Sequence, residues 1–231
     1  MLLFSLECSA AAASAAIYRD EKLLGEEFLN VPQTPSVTLL PMAKSLLEHT
    51  GISPAQIDYY AVSRGPGSFT GLRIGIAAIK GLAFPDDTPC IGVSTPEAIA
   101  YGLLGFEGTV IPMMDARCGQ VYTALFQGKD GRLTRLSEDE ALPLSKLKEK
   151  LKSCPGPLWL CGDGAHLGLA AWGEELPVRM APAHLCCQRA SAVGLAAMQH
   201  LGEAVSPAAL VPCYLRPANA MTLAERQHKA E

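Results

Sequence analysis

The stretch Arg64–Gly81, RGPGSFTGLRIGIAAIKG, decides how the rest of the chain is read. Just before it, Tyr59, Tyr60, Ala61, Val62 and Ser63 form an apolar run of strand length. Gly65, Pro66 and Gly67 can neither extend a ladder nor begin a helix, so a sharp turn is required. Ser68 or Thr70 is the expected N-cap, because a hydroxyl accepts from the free amides of a first helical turn. The helix expected from about Gly71 to Phe84 carries Leu72, Ile74, Ile76, Ile79 and Leu82 together with Gly71, Gly75, Ala78 and Gly81. A glycine inside a helix costs about 0.5–1 kcal/mol relative to alanine, so several of them ask for a reason. Gly71, Gly75, Ala78 and Leu82 fall on one face, which predicts the close approach of a second helix.

Three chemistries compete for the loop. A strand, a glycine turn and a helix N-terminus can hold phosphate, but the Lys-Ser/Thr of a P-loop and the dinucleotide glycine spacing are both missing. A nucleophile elbow needs glycines two residues to each side of the serine, whereas Ser68 lies between Pro66 and Thr70. A rigid turn that seats a packing helix is the preferred reading.

Outward from this segment, 231 residues at 49% hydrophobic and 18% charged composition describe a globular chain able to bury one large core or two modest ones. A net charge of −4 argues against a free-standing nucleic-acid binder, which needs clustered Lys and Arg. The eight cysteines form no CxxC pair and no framework spacing, so reduced thiols in a cytoplasmic protein are expected. Met1–Leu6 lacks a basic flank, is interrupted by Glu7, and reads as a first strand rather than a signal peptide or membrane span. Ala12–Tyr18 and Leu23–Leu29 complete a meander. Ser36 is the expected cap of a helix from Val37 to His49, whose apolar side holds Leu39, Leu40, Ala43, Leu46 and Leu47. Ser53, Pro54 and Gln56 suggest a capping box, and Ser94 or Thr95 with Pro96 starts another helix. The glycine-flanked patch Gly102–Gly108 marks a boundary between a lobe at 1–104 and a lobe at 105–216, whose last helix can pack back on the first lobe.

Beyond it, Thr109–Met114 reads as a strand, Asp115–Gly119 as a hairpin and Gln120–Phe126 as the returning strand. Leu144–Lys152 is a basic amphipathic helix with a solvated lysine face, and Pro157–Cys161 is a strand running into Gly162-Asp163-Gly164. Ser191–Leu201 forms a further helix, and 217–231 is a polar tail. No two of His49, His166, His184, His200 and His228 have metal-ligand spacing, so no metal site is expected.

Arg64, Gly65, Pro66, Gly67, Ser68, Phe69, Thr70, Gly71 and Arg73, continuing to Gly75, resemble the hallmark of the bacterial TsaB (YeaZ) family of tRNA threonylcarbamoyladenosine biosynthesis proteins, with Ser63 where that family has glycine. Cys90–Thr95 (CIGVST), Asp115–Arg117 with Val121 and Tyr122, and Pro212–Arg216 (PCYLR) resemble its further elements in order.

The resemblance implies an α/β, two-lobed actin-like ATPase fold, each lobe a mixed sheet flanked by helices. It implies a cytoplasmic, non-catalytic subunit that activates the catalytic protein TsaD, works with the small ATPase TsaE, reaches tRNA only through the complex and forms a homodimer when alone. The interface it implies draws on Leu39, Ala43, Leu46, Gly71, Ile74, Gly75, Ala78 and Leu82, on two helices that bundle with a partner. Glu7 and Asp115 stand at the two phosphate-contacting positions of active relatives, but the first turn, LECSAAAAS, holds no glycine and Glu7 replaces the usual aspartate. A catalytic site and a tightly bound cofactor are therefore not expected, while ATP or ADP at the interface with the partner stays open. Read on residues alone, Glu7 is as well explained as an acid ending an edge strand, and Asp115 as a turn-stabilising aspartate. An ATP-dependent kinase or hydrolase of the same fold is the alternative. A histidine near the first helix start, common in relatives, is replaced by Pro35.

Overall fold

The computed structural model describes residues 1–216; the polar tail at 217–231 lies outside the described residues. The chain begins with β1 (Leu2–Glu7), β2 (Ala13–Arg19) and β3 (Lys22–Leu29), an antiparallel meander, and continues through α1 (Pro35–Thr50) to β4 (Tyr59–Gly65). α2 (Phe69–Ala83), β5 (Cys90–Ser94) and α3 (Thr95–Tyr101) complete the first run. β4 and β5 join the meander in parallel, so the sheet order is β3-β2-β1-β4-β5. β1 is the central strand, with Phe4 and Leu6 packed under α1 and α2 and Leu3 packed on the opposite face. Both faces are covered, which is why the strand reads as a continuous apolar run rather than an alternating one.

The second sheet is built on β6 (Gly108–Asp115). β7 (Gln120–Thr123), β8 (Phe126–Lys129), β9 (Arg132–Arg135), β10 (Glu140–Pro143), α4 (Leu144–Leu151), β11 (Leu158–Cys161), α5 (Ala165–Trp172) and β12 (Val178–Met180) follow. The single strand expected over Gln120–Phe126 is two. β7 pairs with Met113–Asp115 and β8 with Gly108–Val110, so the long β6 serves two hairpins and the chain breaks pairing at Ala124 and Leu125 to pass between them.

α6 (Ala190–Ala197) returns to the first sheet, where buried Ser14 Oγ accepts from the Ala190 amide at 2.7 Å and Ser5 Oγ donates to the Ala190 carbonyl at 2.7 Å. It is shorter than the expected Ser191–Leu201. α3, through Ile99 and Ala100, and the turn after it, through Leu103, pack under β6 and so join the two lobes. α1 starts one residue before the expected cap, with Pro35 in its first turn and Thr34 preceding it, because proline's fixed φ suits that position. The result is the two-lobed, actin-like α/β architecture.

Candidate functional site

Four strand ends converge on a cleft of about 460 Å³ between the lobes, lined by Ser9, Ala10, Gly67, Ser68, Asp115 and Asp163 among others. Glu7 does not reach it. Being at the end of the central strand rather than an edge strand, its side chain is fully buried, a correction to the edge-strand reading. Its carboxyl oxygens are occupied from within, one by the Ser9 amide and the other by the Ser63 hydroxyl. Burial pushes the Glu7 pKa up, because a low-dielectric interior disfavours the charged form. Asp163, also raised chiefly by burial, accepts from Gln188 Nε2 at 2.6 Å. Asp115 accepts from the Arg117 amide at 2.8 Å, folding its carboxylate back onto its own hairpin.

The cleft's turn chemistry does not fit a nucleotide phosphate. The Ser68 amide, at the start of α2, is taken by the Ser9 carbonyl at 2.7 Å, so the hallmark loop and the first turn are bonded to each other. A Cβ on Gly67 would lie 2.7 Å from that same carbonyl, so the approach is closed to any other residue. Ala10, Ala11 and Ala116 give an incoming phosphate no donor and Asp115 and Asp163 add unfavourable charge, while Arg117 on the same lining is paired with Asp115 at 3.4 Å.

The hallmark segment does something else. It clasps the chain's far end. The Cys213 amide donates to the Arg64 carbonyl at 2.7 Å, and a Cβ on Gly65, whose φ is +125°, would lie 2.1 Å from the Cys213 carbonyl oxygen. The Phe69 and Tyr214 rings are 5.0 Å apart, the Arg73 guanidinium lies 3.9 Å from the Phe69 centroid, and Arg73 Nε donates to the Tyr214 hydroxyl at 3.1 Å. Arg216 then reaches the second lobe, donating to the Ala116 carbonyl at 3.0 Å. Two motifs far apart in the sequence are thus one structural unit. Ser68 is the N-cap, accepting from the Gly71 amide at 3.3 Å, while Thr70 is exposed.

The glycine face of α2 is also explained within the chain. A Cβ on Gly71 would lie 2.1 Å from the Cys8 carbonyl oxygen, and one on Gly75 would lie 3.0 Å from Cys8 Sγ and 3.1 Å from Val62. The close partner is the end of β1, not a second helix. Of the residues expected at an interface, Leu39, Ala43, Leu46, Gly71, Gly75 and Ala78 are buried within the lobe, with Ala43 still lining the groove along α1, and Ile74 and Leu82 are partly exposed. The uncovered side lies one step around each helix. Val37 and Leu40 of α1 are 64% and 52% exposed and Phe84, just past α2, is 75% exposed. Ala77 and Gly81 of α2 are exposed too. A groove of about 970 Å³ runs along α1, lined by Leu40, Pro41, Lys44, Leu47, Ile52 and Leu82. Sequence periodicity picked out the inward stripe of each helix, because glycine is small whether it faces a core or a partner; Leu40, read as part of the apolar side of α1, is 52% exposed.

Among the described residues no group of three or more His, Cys, Asp and Glu side chains could hold a metal. Three lysines on and just after α4 are paired locally, Lys148 with Glu175, Lys150 with Glu140 and Lys152 with Glu149. Burial pushes the Cys8 thiol up to about 12 and the Cys90 thiol to about 11, so neither is a nucleophile at neutral pH. Among the described residues no helix is long and apolar enough to cross a membrane.

A family model described as TsaD, tRNA N6-adenosine threonylcarbamoyltransferase, matches residues 32–158. The chain is 31% identical to the tRNA threonylcarbamoyladenosine biosynthesis protein TsaB of Bacillus subtilis over 95% of this chain and 96% of that one. It is 33% identical to TsaB of Escherichia coli over 71% and 72%. Among solved structures, YeaZ from Pseudomonas aeruginosa superposes with a TM-score of 0.78 at 28% identity, covering 93% of this chain and 99% of that one. The activator of 2-hydroxyisocaproyl-CoA dehydratase from Clostridium difficile, at 13% identity and a TM-score of 0.50, shares the fold alone. Similarity to TsaB over 95% of this chain, together with a hallmark loop whose Gly65, Ser68, Phe69, Gly71 and Arg73 each have a place in the clasp, the cap or the β1 contact, shows that the chain belongs to the TsaB (YeaZ) family of tRNA threonylcarbamoyladenosine biosynthesis proteins.

Proposed function

We propose that this chain is the non-catalytic, activating subunit of the bacterial machinery that makes N6-threonylcarbamoyladenosine in tRNA, acting in the cytoplasm by docking on the catalytic subunit TsaD. The observation that carries the reading is the uncovered apolar face of α1 and α2, with Val37, Leu40 and Phe84 more than half exposed beside a groove of about 970 Å³. Exposed apolar side chains gathered beside a groove mark an interaction site. The same face serves a second copy of the chain when TsaD is absent, giving a homodimer. The first-lobe acid is sealed and the hallmark loop is bonded to the first turn, which supports a subunit without phosphate chemistry of its own. A nucleotide meeting this chain at the shared interface would have to draw its phosphate contacts from the partner. TsaE and tRNA are reached through the complex.

The test is threonylcarbamoyladenosine formation in a mixture of tRNA, ATP, TsaD, TsaE and the adenylate-forming enzyme, with and without this chain. The reading requires strong dependence on the chain and no ATP turnover by the chain alone. Full activity without it, or ATP hydrolysis by the purified chain, refutes it.

A further inference from the structure

On the opposite side of the molecule, a second polar cluster bridges the lobes. His200, after α6, has Nε2 at 3.0 Å from Glu97 Oε1 and Nδ1 at 3.0 Å from Glu203 Oε1. Glu97, in the first turn of α3, uses its other oxygen to accept from Arg135 Nη2 at 3.1 Å. Arg135, at the end of β9, also binds Asp139 at 2.8 Å, and Asp139 accepts from Ser94 Oγ at 2.9 Å. The Arg135 guanidinium lies 4.8 Å from the Phe126 ring centroid on β8. The chain Glu203–His200–Glu97–Arg135–Asp139–Ser94 thus runs from the first lobe into the second and back.

The geometry dictates a protonation state. A neutral imidazole donates from one nitrogen and offers a lone pair at the other, so it cannot satisfy two carboxylates at once. Both ring nitrogens here face carboxylate oxygens, and only the imidazolium donates to both. The charges around it agree. Glu97 and Tyr101 of α3, Glu138 and Asp139 after β9, Glu203, Arg64 of β4 and Arg135 of β9 are the titratable and charged groups facing this site. Four carboxylates against two guanidiniums leave an excess of negative charge for His200 to offset. Partial burial pulls the His200 pKa down, but the bonds to Glu97 and Glu203 outweigh it and raise it above the ordinary value.

We infer that His200 is a proton-dependent fastener between the lobes, its imidazolium holding Glu97 in the orientation that receives Arg135. Loss of the proton leaves one N–H for two carboxylates, so in the tautomer protonated at Nδ1 the contact of Nε2 with Glu97 turns repulsive, Glu97 is freed to turn, and the β9 end loosens from α3. The lobe junction therefore tightens on the acid side of neutrality and relaxes on the alkaline side.

The experiment is an NMR titration of the imidazole Cε1–H signals of the full chain, with His200 assigned by loss of its signal in His200→Gln, alongside amide hydrogen exchange over 132–139. The expected His200 midpoint lies above about 6.5, the ordinary histidine value, and falls by about one pH unit or more in Glu97→Gln. Corrected for intrinsic chemistry, exchange at 132–139 rises several-fold between roughly pH 6 and pH 8.5 in the parent and stays flat in His200→Gln. A midpoint at or below the ordinary value, or exchange independent of pH in the parent, overturns the inference. Should either variant fail to fold, Glu203→Gln, at an exposed carboxylate, must still lower the midpoint and move the exchange step with it; an unmoved midpoint overturns the inference as well.

Discussion

Three glycines on α2 allow one substitution to be read against three surroundings. Glycine to alanine in a helix is ordinarily worth about 0.5–1 kcal/mol of added stability. At Gly81 a Cβ meets nothing within 4 Å, so Gly81→Ala is expected to show that gain. At Gly75 the new methyl would lie 3.0 Å from Cys8 Sγ and 3.1 Å from Val62, both side-chain atoms that can shift by a few tenths of an ångström. Propensity and crowding then roughly cancel. At Gly71 the obstacle is the Cys8 carbonyl oxygen at 2.1 Å, just past the end of the central strand, and α2 would have to retreat by more than about 1 Å to reach ordinary contact. Overpacking against well-ordered structure costs about 1–3 kcal/mol and occasionally more. Taking the upper part of that range for a backbone obstacle and subtracting the propensity gain leaves a net loss of about 2 kcal/mol. For a chain of this length that is a fall of roughly 4–8 °C in thermal midpoint. Urea denaturation and thermal melting of the three variants at one protein concentration measure the order directly. Gly71→Ala matching Gly81→Ala in stability would refute the close contact between α2 and β1, and with it the internal explanation of the glycine face.

Glu7→Gln mimics the neutral acid favoured by burial. A carboxyl whose folded pKa is raised contributes stability below its unfolded value, about 4.5, and loses it as pH rises through the folded value. The parent should therefore lose stability with rising pH relative to Glu7→Gln, as denaturation at several pH values would show; a constant difference would contradict the sealed acid. Leu40→Asp, at a half-exposed site, should leave the isolated fold within about 0.5 kcal/mol yet weaken TsaD binding tenfold or more, or about 1.4 kcal/mol, by calorimetry. Equal binding would remove Leu40 from the interface. Tyr214→Ala should cost about 0.5–1.5 kcal/mol from the lost ring pair and raise amide exchange across 210–216, whereas Tyr214→Phe should keep most of the protection. Unchanged exchange in Tyr214→Ala would dissolve the clasp.

The first sheet was legible because its information is local. Met1–Leu6 is an apolar run without a helical stripe, the turn at Arg19–Lys22 is short and polar, and Ser53–Gln56 caps as its spacing announces. The Arg64–Gly81 segment fixed a strand, a turn and a helix, since glycine, proline and a capping hydroxyl each restrict the backbone without help from the rest of the chain. Asp115 as a turn-holding acid was also readable, because its partner amide lies two residues away. The exposed lysines of α4 gave their own solvated face.

What the sequence alone determined, then, is the kind of each element and the family, through backbone restrictions and motifs that act within a few residues. Only the tertiary structure decided what those elements face. That Glu7 is central rather than at an edge depends on β4 joining beside β1 across more than fifty intervening residues. That Phe69 and Arg73 hold Tyr214 depends on a chain end 141 residues beyond Arg73 returning to the helix start. That the Gly71 stripe points inward depends on the Cys8 carbonyl being there to meet it. Small size admits any close neighbour, and which neighbour arrives is settled by long-range packing rather than by the residue itself.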